Sequence, residues 1–227
     1  MLDELGRSIV TGSFAGEDFP IEAELAKRYG VSRSVTREAV KMLTAKGLLG
    51  ARPRQGTFVQ PEAQWNLLDP DVLRWLLERK FSMSLLRGFT ELRVAIEPAA
   101  AELAARNLTP EGQARLEAGY ARMVAAHAGD DDPLDADIAF HVAVLEASGN
   151  VFFAQFRDMV ATALRTSIRF TNRFRGVHTA SLPAHKAVKD AIEARDTAGA
   201  HAAMATMMRN VMLLIAEAEA KEASKPS

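Results

Sequence analysis

The stretch VSRSVTREAVKML, residues 31–43, decides how the first quarter of the chain reads. Val35, Ala39, Met42 and Leu43 fall at i, i+4, i+7 and i+8, a spacing that predicts a helix with one buried stripe. Ser32 stands where an N-cap belongs, because its hydroxyl can accept from a free amide of the first turn. The opposite side is left with Arg33, Ser34, Thr36, Arg37 and Lys41. Hydroxyls contribute little to helix propensity, so their cluster beside two guanidiniums needs another cause. Arginine forks onto guanine O6 and N7, while hydroxyls and helix-start amides suit phosphate oxygens. Ser32, Arg33, Ser34, Thr36 and Arg37 are therefore expected to face a duplex.

Working outward, IEAELAKRYG reads as a preceding helix with Ile21 and Leu25 one turn apart and Gly30 at its end. Two helices across so tight a turn predict a helix-turn-helix, whose second helix enters the major groove N-terminus first. Residues 2–12 predict a further short helix, and GSFAGEDFP a loop closed by Pro20. Downstream, GLLGARPRQGTFV holds two strand-like runs, Leu48 to Ala51 and Thr57 to Val59. The basic turn between them closes at Gly56, so Gln55 and Gly56 form the tip of a wing that can approach DNA closely. Residues 1–60 are thus expected to be a winged helix-turn-helix.

Charge supports this reading. From Lys27 to Gln60 there are eight Lys or Arg against one acid, Glu38, whereas Met1 to Ala26 holds one base and six acids. The formal net charge is only -1, which excludes wholesale coating of nucleic acid or membrane but fits a local electrostatic footprint. Hydrophobic residues make up 48% and charged ones 25%, as in an ordinary folded protein. There is no cysteine, no signal-peptide pattern and no apolar run of membrane-spanning length. These features predict a cytoplasmic protein with no membrane partner.

After Pro61 the pattern is helical only. QWNLLDPDVLRWLLERK predicts a helix starting near Asp69-Pro70, and residues 61–80 read as a connection with a first helix. Residues 81–221 hold several further amphipathic helices with short loops and abundant Ala, which predicts an all-α bundle. Pro98 lies inside one of these helices and is expected to kink it. Residues 222–227 read as a tail. The fold class is mainly α: a winged helix-turn-helix followed by a helical bundle.

One pair in the bundle carries chemistry. Asp137 and His141 are four apart and share a helix face. That is metal-ligand spacing, and equally the spacing of a helix-stabilising pair.

FPIEAELAKRYGVSRSVTREAVKMLTAKGLL followed by RQGTFV resembles the winged helix of the GntR regulators. ELRVAIEPAAAELAA, DIAFHVAVLEASGN and HKAVKDAIEARD resemble the FCD ligand-binding domain of the FadR subfamily. The connecting QWNLLDPDVLRW is similar to that of the galactonate-responsive, DgoR-like members. The resemblance implies a homodimeric repressor, released from a palindromic double-stranded operator by a small anionic metabolite, a sugar acid such as galactonate. It places Ser32, Arg33 and Arg37 at DNA contacts and Gln55 and Gly56 at the wing tip. Ala23 departs from relatives that carry an arginine contact there.

The family pattern adds His185 to Asp137 and His141 as a ligand of one divalent metal (Zn, Mn or Ni). A further histidine of many relatives falls at Met207 here, and a thioether is a poor ligand for these ions. A metal-free site whose histidines bind the effector directly stays open. For the effector itself the resemblance implies Arg93, whose guanidinium can fork onto a carboxylate. An ion pair with Glu97, four residues on, competes for that side chain. Asn150, which also reads as a helix cap, Arg165, Met207 and Asn210 complete the expected pocket. Arg169 lies one turn beyond Arg165, and His201 reads as a surface residue. Two other functions compete: a metal-sensing repressor, and a metal-dependent enzyme carrying a DNA-binding domain. Against the enzyme stands the absence of a Glu-x-x-His pair and of a Gly-rich phosphate loop.

Overall fold

The computed structural model describes residues 1–15, 18–52, 56–79, 83–165 and 181–223. The chain divides into two compact units, Met1–Phe81 and Ser82–Ser227. Among the described residues, no helix is long and apolar enough to cross a membrane.

The first unit opens with α1 (Leu2–Val10), α2 (Glu22–Tyr29) and α3 (Arg33–Ala45). Gly30 ends α2 with φ +63°, a left-handed conformation that glycine adopts at no steric cost. Two residues later the Ser32 hydroxyl accepts from the Val35 amide at 3.3 Å and starts α3. Cap and stop together set the tight turn. Strands β1 (Leu49–Arg52) and β2 (Gly56–Val59) pair antiparallel, with Leu49 opposite Val59 and Arg52 opposite Gly56. Gly56, at φ +84° in open space, begins the return strand of the wing.

The buried face of α3 differs from the expected stripe. Ala39 and Leu43 are buried, but Val35 and Met42 are 49% and 48% exposed, and Thr36 and Val40 take their places inside. Both sets satisfy a helical period and share Ala39 and Leu43, so periodicity alone did not separate them. Thr36 tolerates burial because its hydroxyl donates to the Ser32 carbonyl at 3.2 Å, one turn back.

The segment after the wing is stitched to this unit rather than hanging from it. The Gln60 amide donates to the Leu48 carbonyl at 2.9 Å, and the Asn66 amide to the Lys46 carbonyl at 3.0 Å. Lys46, the residue that ends α3, places its ammonium 2.8 Å from Asp69 and 2.9 Å from Asp71. Asp69 also accepts from the Asp71 and Val72 amides and so caps α4 (Pro70–Arg79). On α4, Arg74 and the Trp75 indole both donate to Asp3 of α1, at 2.6 and 2.7 Å. Trp75 packs directly against Gly6, where a Cβ would meet the ring at 2.3 Å.

The second unit comprises α5 (Met83–Asn107), α6 (Pro110–Ala128), α7 (Pro133–Ala147), α8 (Val151–Gln155), α9 (helical residues 157–165), α10 (Leu182–Glu193) and α11 (Thr197–Ala223). Helix α5 packs against α11 and α7, while α10 packs on α11, α5 and α6. Ala100, Ala101, Ala104 and Ala105 are fully buried on α5, so small side chains bring its neighbours close. Phe140, Leu116, Leu145, Ile192, Met204 and Met208 fill the centre. Helix α5 runs without interruption through Pro98.

Two outcomes follow for the first unit. Gly6→Ala forces the indole aside and is expected to cost about 1–3 kcal/mol as overpacking, read by thermal or urea denaturation. Asp3 and Asp71 are held below the ordinary 3.8, Asp3 chiefly by hydrogen bonds from Trp75 and Arg74, Asp71 chiefly by Lys46. A depressed carboxylate contributes fully above its unfolded value and loses that contribution as pH falls through the folded one. Stability should therefore decline below about pH 4, and Asp3→Asn should flatten that decline in denaturant titrations at stepped pH.

Candidate metal and effector site

Helix α7 is started by Asp132, whose carboxylate accepts from the Leu134 and Asp135 amides, with Pro133 in its first turn. That start puts Asp137 and His141 one turn apart on a buried face. Helix α10 presents His185 from its first turn. Asp137, His141 and His185 are 5%, 2% and 3% exposed. The Asp137 Oδ1 lies 3.1 Å from His185 Nε2 and 3.8 Å from His141 Nε2, and the two Nε2 atoms are 3.4 Å apart.

The other nitrogen of each ring is committed. The His185 Nδ1–H donates to the Ser181 carbonyl at 2.8 Å, and the His141 Nδ1–H donates to Glu97 Oε2 at 2.6 Å. Neutral imidazoles so held turn both Nε2 lone pairs toward the Asp137 oxygen. In that tautomeric state three acceptors converge, which is the arrangement a cation satisfies. Their mutual separations of 3.1, 3.8 and 3.4 Å are short enough for one small cation to touch all three. The residues present thus fit a divalent metal. The second nitrogen of each histidine is anchored as metal-binding histidines require. Among the described residues this is also the one group of three or more such ligand side chains brought together.

Arg93 and Glu97, both on α5, border the triad. Arg93 is 2% exposed and Glu97 1%. The Arg93 Nε donates to Glu97 Oε1, and Nη2 donates to Glu97 Oε2 at 3.2 Å. The ion pair that competed in the sequence is therefore formed. Burial alone would push the Glu97 carboxyl up, but the Arg93 guanidinium and His141 outweigh it and hold the group at about 2. Burial likewise opposes ionisation of Asp137, and the contact with His185, with His141 and Arg93 nearby, keeps it below the usual range.

The remaining expected pocket residues are more dispersed. Asn150 is half-buried and caps α8, accepting from the Phe152 amide at 2.9 Å. Arg165 is exposed and pairs with Asp135 at 2.8 Å. Met207 is buried in the hydrophobic core with Met204 and Met208, while Asn210 and His201 are exposed on α11. Arg169 lies outside the described residues. Sequence reasoning missed the reach of Glu97 to His141, which no spacing signals because 44 positions separate them.

On the winged helix, Ser32, Arg33, Ser34 and Arg37 are exposed along the start of α3, and Gly56 is exposed at the wing. Thr36, expected on that surface, is instead fully buried, so its hydroxyl serves the helix and not a phosphate. Arg37 Nε lies 3.4 Å from Glu22 on α2, with the two side chains 61% and 40% exposed. Such an open pair is worth at most about 1 kcal/mol and does not hold Arg37 against a stronger partner. Gln55 lies outside the described residues.

Comparison with known proteins agrees with both halves. Residues 2–59 match the family described as "Bacterial regulatory proteins, gntR family", and residues 89–210 match the FCD domain. The chain is 35% identical to the "Galactonate operon transcriptional repressor" of Escherichia coli K12, over 90% of each chain. It is 31% identical to the "Putative L-lactate dehydrogenase operon regulatory protein" of the same organism, covering 84% of this chain and 74% of that one. Among solved structures, a GntR protein of Streptococcus agalactiae superposes with a TM-score of 0.52 at 26% identity, covering 92% of this chain and 98% of that one. The exposed basic start of α3, the wing and the helical unit that follows them in the chain thus belong to a transcriptional regulator of the GntR family with an FCD domain, not to an enzyme.

Proposed function

We propose that the protein is a homodimeric, metabolite-responsive repressor whose FCD domain binds a small carboxylate, of the sugar-acid class, at a metal held by Asp137, His141 and His185. The observation that carries this reading is the convergence of those three buried acceptors next to Arg93. A divalent ion bound there supplies open coordination positions for carboxylate and hydroxyl oxygens. The relative named for a galactonate operon supports the choice of effector class.

Charge favours the metal over a metal-free site. With neutral imidazoles, Arg93, Glu97 and Asp137 sum to one negative charge in a buried space, which repels an anion. A divalent cation reverses that sign. The Arg93 guanidinium is held along one edge by Glu97. Its Nη1 has no partner among the described residues and is the group we assign to the effector carboxylate. The effector acts by binding one arrangement of the dimer more tightly than the other.

On the DNA side, Arg33 and Arg37 read base edges while Ser32, Ser34 and the wing at Gln55 and Gly56 meet the backbone. Arg33→Ala or Arg37→Ala should cost about 1–3 kcal/mol on a selected palindromic duplex and relax its sequence preference. Thr36→Val should leave that affinity unchanged within about twofold, because the residue is internal. Fluorescence anisotropy at fixed salt measures all three, and specific binding that survives both arginine changes removes α3 from the contact surface. On the effector side, galactonate should raise the thermal midpoint of the metal-loaded protein, and a chelator should abolish that rise. A full rise after verified metal removal refutes the metal-assisted site, and operator release by metal alone points to a metal sensor.

A further inference from the structure

Glu97 has more partners than an intrahelical counter-ion needs. Its Oε1 receives the Arg93 Nε–H, and its Oε2 receives both the Arg93 Nη2–H at 3.2 Å and the His141 Nδ1–H at 2.6 Å. Three N–H donors from two helices therefore meet on one carboxylate that is 1% exposed. We propose that Glu97 is the positioning residue of the site, fixing the tautomer of His141 and the direction of Arg93 at once, and so tying metal affinity to effector affinity. This rests on the reading of Asp137, His141 and His185 as a metal site.

His141 presents a lone pair at Nε2 only while its proton stays on Nδ1, and Glu97 is the acceptor that keeps it there. The guanidinium is engaged along its Nε–Nη2 edge, which leaves Nη1 as the end directed elsewhere. An ionised carboxylate is all acceptor and serves every one of these donors. A glutamine cannot. Its single carbonyl oxygen can satisfy one side, and its NH2 then faces the other as a donor against a donor. Where the NH2 faces His141, it favours the proton on Nε2, the atom that must bind the metal. A residue that merely filled space would not discriminate between Glu and Gln, which are nearly the same size.

The test uses the full-length protein freed of metal and titrated with Co(II), followed by visible absorption. Glu97→Gln is expected to weaken Co(II) binding 10- to 100-fold, as loss of an outer carboxylate does elsewhere, and to alter the absorption bands. At saturating Co(II), the thermal rise produced by galactonate should also shrink. Glu97→Gln strands a buried guanidinium, so Arg93→Gln/Glu97→Gln, which is uncharged at both positions, serves as the second variant. It should show the same loss of Co(II) affinity. A folded variant with wild-type Co(II) affinity and bands overturns the proposal, even if its thermal midpoint has dropped. A wild-type galactonate rise in Co(II)-saturated Glu97→Gln overturns the link to Arg93. Failure of the wild type to take up Co(II) instead removes the metal site itself, and this inference with it.

Discussion

Burying charge is expensive unless each charge finds partners, and the helical unit buries five ionisable side chains in one place. Arg93, Glu97, Asp137, His141 and His185 are all 5% exposed or less. They come from three helices, α5, α7 and α10, and satisfy one another across the gaps between them. That mutual satisfaction dictates how the helices may pack, because a shift of any one of them leaves a donor or acceptor unmet in a dry environment. Fully buried alanines on α5 and the close approach of Gly119 on α6 to the backbone of Phe140 allow the contact distances this demands. Asp137, His141 and His185 bring their oxygen and nitrogen atoms together, within 3.8 Å of one another.

The winged helix solves a different problem. It exposes the basic start of α3 over a core that includes Leu5, Leu25, Leu43, Leu48 and Trp75. Rigidity comes from around the helix-turn-helix: Ser32 and Gly30 set the turn, and Lys46 ties the end of α3 to two carboxylates at the start of α4. Trp75, seated on Gly6 and donating to Asp3, locks α4 against α1. The segment following the wing is therefore joined to α3 and α1 by ion pairs and a hydrogen bond within one compact unit.

Local signals in the sequence were dependable where they rested on backbone rules. Ser32 caps α3, Gly30 stops α2, Asp69-Pro70 opens α4 and Asn150 caps α8, each because a single side chain or a glycine conformation serves its own neighbours. They were weaker where two faces of one helix were both plausible. On α3 the sets 35, 39, 42, 43 and 36, 39, 40, 43 are equally periodic, and only the packing against neighbouring elements chose the second. That choice took Thr36 from the DNA surface and left Val35 exposed.

The order of helices, the helix-turn-helix with its wing and the one-turn spacing of Asp137 and His141 were settled by the sequence alone, since all three follow from contacts between residues near in the chain. Tertiary structure decided that His185 meets that pair, and that the Arg93–Glu97 pair is internal. It also decided that Glu97 reaches His141. Those outcomes depend on helices separated by tens of residues arriving at the same few ångströms, and no local rule encodes such a distance.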